Sequence, residues 1–515
     1  MESPSTLESP ADLSVPTAEA ATESTTRRAA RNATAMALSQ ISAKGLLFIW
    51  QLMLARWLGD EGYGVYGTIG ALLAVGAVLP DFGMGMIVVR DVANHPKDAS
   101  RYLSASLTMQ PVLAVVGYGV LMIAAILFGY DSELRALLAL AGVSLLVDTL
   151  GNICHNQLLA AERMVIPAVI STAHVGILVV LAAIALGLGG GLWGLYVATI
   201  TAGVARTSAY WIALTRVGTR PQFPLDRGVA RSMLINGAPL AMAAFLAQAY
   251  NHADKLITTA VLGAEGTGQL TAGFVIVFGV VEILSTTVLV AVFPLMSRTY
   301  SSGQRAMFEF MLEKLAFFNL TLSLPLAIYT SLLAVPLSGW LFGPEFTRTA
   351  DVLKILIWYT VVNMVGNVFA QALLTQNRQR RLLVIRASGL ALNIALLAVL
   401  LPRVGVQGAA IATLIAETTI LTGILTSFDF PADWWGRARS HLWRLGLAAA
   451  GLMIIVLLLR RVHPLLAGII GLPTYAALVL VSGAVARDDW DLIYRLATAM
   501  PGGAVVARYW KRKLA

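Results

Sequence analysis

The sequence predicts an all-α polytopic membrane protein, with about 14 transmembrane helices as two pseudo-symmetric six-helix bundles plus two C-terminal helices. Three observations predict it. The 515 residues are 57% hydrophobic and only 13% charged, too little charge to cover a soluble protein of this length. Between Arg31 and Val485 apolar segments follow one another almost without a break, each of roughly 18 residues or more and able to cross a ~30 Å hydrocarbon core as a helix. Finally, the sequence returns on itself. LGDEGYG at 58–64 recurs as LGAEGTG at 262–268, and GLWGLYVAT at 191–199 as GVQGAAIAT at 405–413. The helix ends before the second pair read NQLLAAER at 156–163 and QALLTQNR at 371–378. Repeated helical halves mark transporters whose site lies between the halves. A strand barrel is excluded, because the apolar runs show no period-two alternation.

Taken in order, residues 1–30 form a cytoplasmic tail rich in Ser, Thr, Pro and Ala, a composition that favours disorder. It lacks the basic start and apolar core of a signal peptide. Six segments centred near Leu46, Val75, Val115, Leu145, Leu178 and Thr201 make the N-terminal bundle, 31–216. A cytoplasmic linker, 217–228, precedes six more near Gln248, Val281, Leu324, Val362, Ala391 and Leu414, the C-terminal bundle 229–428. Two further segments near Ile454 and Leu478 occupy 429–486, and 487–515 is a basic cytoplasmic tail. In that tail Trp490, Ile493, Leu496 and Ala497 share one helical face, which suits either a helix on the membrane surface or a solvated tail. The LGxEGxG copies read as glycine turns on the outer side, joining the first span to the second and the seventh to the eighth. Every loop is short, so there is no room for a soluble catalytic domain, and no enzyme is expected.

Charge orients the chain. With both termini cytoplasmic, roughly 27 of the 37 Lys and Arg lie on the inner side, a strong positive-inside bias. Arg460 and Arg461 run against it. The net charge of +9 therefore reads as orientation and contact with anionic membrane lipids, not as nucleic-acid binding. Cys154 is the lone cysteine and forms no internal disulfide. His155, His174 and His252 lack metal-ligand spacing with Cys or acidic companions, so neither metal nor cofactor is expected.

The run RNATAMALSQISAKGLLFIWQLMLARWLGDEGYGVYG, then LPDFGMGMIVVRDVA, then YNHADKLITTAVLGAEGTGQLTAGFVI resembles the polysaccharide transporter group of the multidrug/oligosaccharidyl-lipid/polysaccharide superfamily. The resemblance spans about residues 31–500 and rests on the order and spacing of these motifs. It implies a flippase for lipid-linked oligosaccharides, such as O-antigen precursors, in the plasma (inner) membrane of a prokaryote. It also implies alternating access of two bundles around a partly cationic cavity. A polysaccharide polymerase and glycosyltransferases are the partners it suggests.

Charged residues within spans supply the candidates, because each costs roughly 2.5–3.5 kcal/mol at the helix centre and usually faces protein or water. The repeat offset of 204 residues places Lys44 opposite Gln248 and Gln51 opposite Lys255. Residues seven apart share a helical stripe, so Lys44 with Gln51 and Gln248 with Lys255 give each half one Lys and one Gln in exchanged order. Two ammonium groups at staggered depths suit a polyprenyl diphosphate; alternatively Lys255 pairs with a carboxylate and steadies the bundle. Asn251 would contact sugar hydroxyls. Arg206 suits either a phosphate or an ion pair between bundles, its neighbour Gly203 aligning with Glu417. Glu282 and Asp254 are the candidate ion-coupling acids for H+ or Na+, with a salt bridge to Lys255 or Lys44 the other reading of Glu282. Asp254 lies ~100° around the helix from Lys255, so the two should face different partners.

Two rival classes remain. A drug/cation antiporter of the multidrug and toxin extrusion type would favour an acidic cavity. A polytopic glycosyltransferase would use carboxylates such as Asp60 and Glu61 in the first outward loop, but the repeat replaces them with Ala264 and Glu265.

Overall fold

The computed structural model describes residues 18–222, 226–281, 287–430, 433–460 and 464–483. Helices and short turns account for it; no strand occurs among the described residues. In chain order the helices are α1 (Ala18–Gly76), α2 (Val78–Asp81), α3 (Met84–Asn94), α4 (Ala99–Leu127), α5 (Ser132–Ala160), α6 (Val165–Gly187) and α7 (Gly191–Val217). They continue as α8 (Arg227–Val281), α9 (Thr287–Ser301), α10 (Arg305–Leu332), α11 (Ala334–Phe342), α12 (Thr349–Thr375), α13 (Gln379–Val404), α14 (Val406–Leu425), α15 (Trp434–Leu459) and α16 (Pro464–Val481).

Ten helices among the described residues are long and apolar enough to cross a membrane. The fourteen expected segments map onto them unevenly. Gly45–Asp81 and Arg227–Val281 each carry two, and eight others carry one each. The segment near Thr201 falls on α7, and that near Leu478 on the shorter apolar stretch Leu466–Val481. The doubling has a backbone cause. Gly59 (φ 68°, ψ −178°) and Gly263 (φ 76°, ψ −171°), equivalent positions of the repeat, leave helical geometry and kink α1 and α8. Only glycine takes this conformation without strain. The expected turns are therefore sharp bends within packed helices. Thr267 is fully buried, whereas Glu265 is exposed.

The two bends meet. A Cβ on Gly64 would overlap the Ala264 carbonyl, and one on Gly268 the Asp60 carbonyl, so α1 and α8 touch backbone to backbone around a pseudo-twofold axis. Small residues permit such approach in membranes. Thr68 and Thr259 hydroxyls bond across it at 2.6 Å, and Thr259 meets Thr267 at 2.7 Å. Gln269 donates to Asp60 (2.8 Å) and to the Glu345 carbonyl (3.0 Å), fixing the crossing to the α11–α12 connection.

In the N-terminal half α5 packs on α4 and α7, and α6 on α7; in the C-terminal half α14 packs on α12 and α13, and α10 on α12. A second contact between halves lies where Phe82 (φ 44°) and Gly83 (φ 71°) separate α2 from α3. There a Cβ on Gly237 would overlap the Phe82 carbonyl. Helices α15 and α16 form a hairpin that docks on α10 through Ile328, Leu445, Leu452 and Val456. Arg437 grips the buried Glu313 with bonds of 2.8–3.1 Å. Outward faces such as Val112, Val116, Ile123 and Ile126 of α4 are exposed and apolar, as lipid-facing helix surfaces must be.

Candidate functional site

The kinked helices line an open cavity of about 480 Å³ between the halves, within the usual range for a ligand site. From α1 it is lined by Leu47, Phe48 and Gln51, from the first part of α8 by Asn251, His252 and Lys255, and past the kink by Phe274 and Phe278. Three of the sequence candidates, Gln51, Asn251 and Lys255, thus come together. Tyr63 donates to Gln51 Oε1 at 3.0 Å and Gln51 Nε2 donates to Tyr66 at 3.3 Å, which fixes the amide. The Lys255 ammonium has no carboxylate within 4.0 Å and no hydrogen-bond partner among the described residues. The combination of one cation, amides and aromatic faces can hold an anionic group and stack or hydrogen-bond a sugar.

The other candidates are placed differently. Gln248 is half-buried and does not line the cavity; seven residues carry it ~10 Å along the axis from Lys255, past the end of the cavity at Asn251. Lys44 lies in α1, but its side chain is outside the described residues, as is all of Glu282. Arg206 corrects the expectation of a bond between bundles. Its guanidinium donates to Asp148 at 2.7 Å on the adjacent α5, within the N-terminal half. Glu417, the aligned acid, already accepts from Tyr250 and, at 2.8 Å, from Asn363. Each half therefore ties equivalent helices together with a polar side-chain bond, α5 to α7 and α12 to α14.

Asp254 does turn away from Lys255. It is 3% exposed and accepts from Thr413 Oγ1 at 3.0 Å, with Oδ1 left unpartnered and Asn393 adjacent. Sequence reasoning missed Asn393, Thr413 and Asn363, and it offered Tyr250 as a sugar contact, whereas its hydroxyl donates to Glu417. Their one available signal was that Thr413 and Glu417 stand one turn apart on a span. The Asp60 carboxylate of the glycosyltransferase reading is engaged by Gln269 and the Glu61 amide (2.9 Å).

The sequence profile of the family described as "Polysaccharide biosynthesis protein" matches residues 53–351, more than half of the chain. No curated protein matches by sequence. Among solved structures, the lipid II flippase MurJ in an inward closed conformation superposes with a TM-score of 0.72 at 14% identity, covering 87% of this chain and 98% of its own. An inward-facing multidrug resistance MATE family transporter of the MOP superfamily gives 0.60 at 16%, covering 78% and 98%. A MOP superfamily transporter from Pyrococcus furiosus, reported with a binding pocket of reverse polarity, gives 0.52 at 17%, covering 80% and 95%. At these identities the likeness is one of fold: a multi-pass transporter fold.

Proposed function

Because this chain belongs to the polysaccharide biosynthesis protein family, we propose that it moves a lipid-linked oligosaccharide, headed by a polyprenyl diphosphate, across the plasma membrane of a prokaryote. The observation that carries the reading is Lys255. An ammonium facing a cavity between two halves, with no described carboxylate within 4.0 Å and its neighbour Asp254 bonded to Thr413 and acting on it only through space, favours an anion over the cationic substrates of a drug antiporter. In this reading the diphosphate lies against Lys255, and Gln51 and Asn251 hold the first sugar. Lys44 supplies a second cation from α1, and Gln248 serves at the inner mouth. The bundles 31–216 and 229–428 rock about their contact, both termini being cytoplasmic. Asp254 and Glu282 couple the movement to H+ or Na+. The chain performs no bond chemistry; glycosyltransferases supply its substrate and a polymerase consumes its product.

The test is translocation of a polyprenyl-diphosphate oligosaccharide in proteoliposomes by the wild type, Lys255→Gln and Lys255→Arg. Two unit charges 4 Å apart interact by about 4 kcal/mol at an effective dielectric of 20. Water in the cavity leaves a fraction of that, so Lys255→Gln should transport about tenfold slower or worse and Lys255→Arg should retain most activity. Wild-type transport by Lys255→Gln at equal protein level, or efflux of ethidium by the wild type, would overturn the reading.

A further inference from the structure

The N-terminal half contains a second space, separate from the cavity between the halves. It measures about 260 Å³ and is lined by Asp81, Gln110, Ser144, Asp148, Thr149 and Asn152 of α2, α4 and α5, with apolar walls from Leu73 and Ala77. Its polar groups present oxygen acceptors. Ser144 and Thr149 donate their hydroxyl protons back to the Ala141 and Leu145 carbonyls, both at 2.7 Å, so their lone pairs remain. Asp81 is oriented by the Gly83 and Gly85 amides at 3.2 and 3.3 Å. Asp148 gives Oδ1 to Arg206. Two carboxylates against one guanidinium leave one negative charge in excess.

Gln110 is the independent observation. It is 3% exposed, faces this space, and makes no hydrogen bond with any described residue. Its amide atoms open onto the space and are not sealed within protein, so a ligand or water there must supply their bonds. Unpartnered polar atoms continue away from the space along the same helices, at Ser106, one turn from Gln110 on α4, and at both amide atoms of Gln157 on α5. They lead toward the end where the Gln222 amide donates to Ser104 at 2.6 Å, a polar track for an ion and its water. Hard oxygen ligands with one net negative charge suit a monovalent hard cation, not a divalent one.

We propose that the N-terminal half binds one partly hydrated, sodium-sized cation between Asp81, Asp148, Gln110 and Asn152. This site is distinct from Asp254 in the other half and independent of the substrate proposed above. The experiment measures 22Na+ binding and Na+-dependent thermal stabilisation of the full chain in nanodiscs, with choline as the replacement cation. Gln110→Leu should weaken this site about tenfold or more and remove its share of the stabilisation, while Asp254→Asn leaves it intact. Gln110→Glu, which adds a ligand, should tighten Na+ binding several-fold. Unchanged Na+ binding in Gln110→Leu, or a Gln110→Glu protein destabilised equally at every Na+ concentration, would overturn the site.

Discussion

Adding one methyl group to Gly268 tests the crossing that holds the halves together. Alanine in a helix interior gains about 0.5–1 kcal/mol over glycine from backbone entropy alone. At Gly70, where a new Cβ meets nothing within 4 Å, only that gain applies, and Gly70→Ala should be neutral or stabilising. At Gly268 the methyl would meet the Asp60 carbonyl, and at Gly64 the Ala264 carbonyl. Both obstacles are backbone, which cannot swing aside as a side chain tip can. Overpacking of this kind costs about 1–3 kcal/mol or more, so Gly64→Ala and Gly268→Ala should each lie about 2 kcal/mol below Gly70→Ala after the propensity term is removed. Cys154 is free, buried and the single cysteine, so its exposure to a thiol-reactive dye on heating reports unfolding without added labels. The two variants should melt several degrees below Gly70→Ala, on the scale of ~2–4 °C per kcal/mol. Their double variant should cost less than the sum, because the two sites share neighbours. Gly268→Ala melting at or above Gly70→Ala would refute the backbone contact.

Further outcomes follow from other contacts. Arg437→Leu strands the buried Glu313 carboxylate and should lower stability by about 1–3 kcal/mol, and adding Glu313→Gln should restore most of the loss, read by the same melt. Arg101, hydrogen-bonded to Asp226, holds that carboxyl below its ordinary value of 3.8. The associated stability is present above pH 3.8 and fades as pH falls through the lowered value. Asp226→Asn should therefore flatten the acid limb of stability below about pH 4, where wild type declines. With Cys154 replaced, a cysteine at the exposed Glu265 should react with an impermeant thiol reagent outside intact cells, and one at the buried Thr267 should not; the reverse pattern would contradict the bend. Glu282→Gln should keep folded protein in the membrane but lose gradient-dependent transport, and loss of the protein itself would favour a salt bridge.

The sequence made the helices and their pairing legible. Span length and apolar content announce a helix directly, and the LGxEGxG repeat brought Gln51 and Lys255 to one cavity by alignment alone. What it could not give was rotation. A helix apolar on nearly every side carries no stripe to say which face meets protein, so Arg206 could not be matched to Asp148 rather than to a residue of the other half. Gln110 was invisible for the same reason: a single amide in an apolar run acquires meaning only when nothing is found beside it. The glycines read as turns because a positive φ serves a loop and a kink equally well.

The position of the kinks has a mechanical corollary. Gly237, which closes against Phe82, lies 26 residues before Gly263, about 39 Å of helix, whereas Lys255 lies only 8 residues, about 12 Å, from it. If the α1–α8 crossing acts as a fulcrum, a tilt of about 10° would part the distant contact by roughly 7 Å and shift Lys255 by roughly 2 Å. The arrangement is a lever with unequal arms: a doorway can swing wide at one end while the charge near the pivot scarcely leaves its cargo.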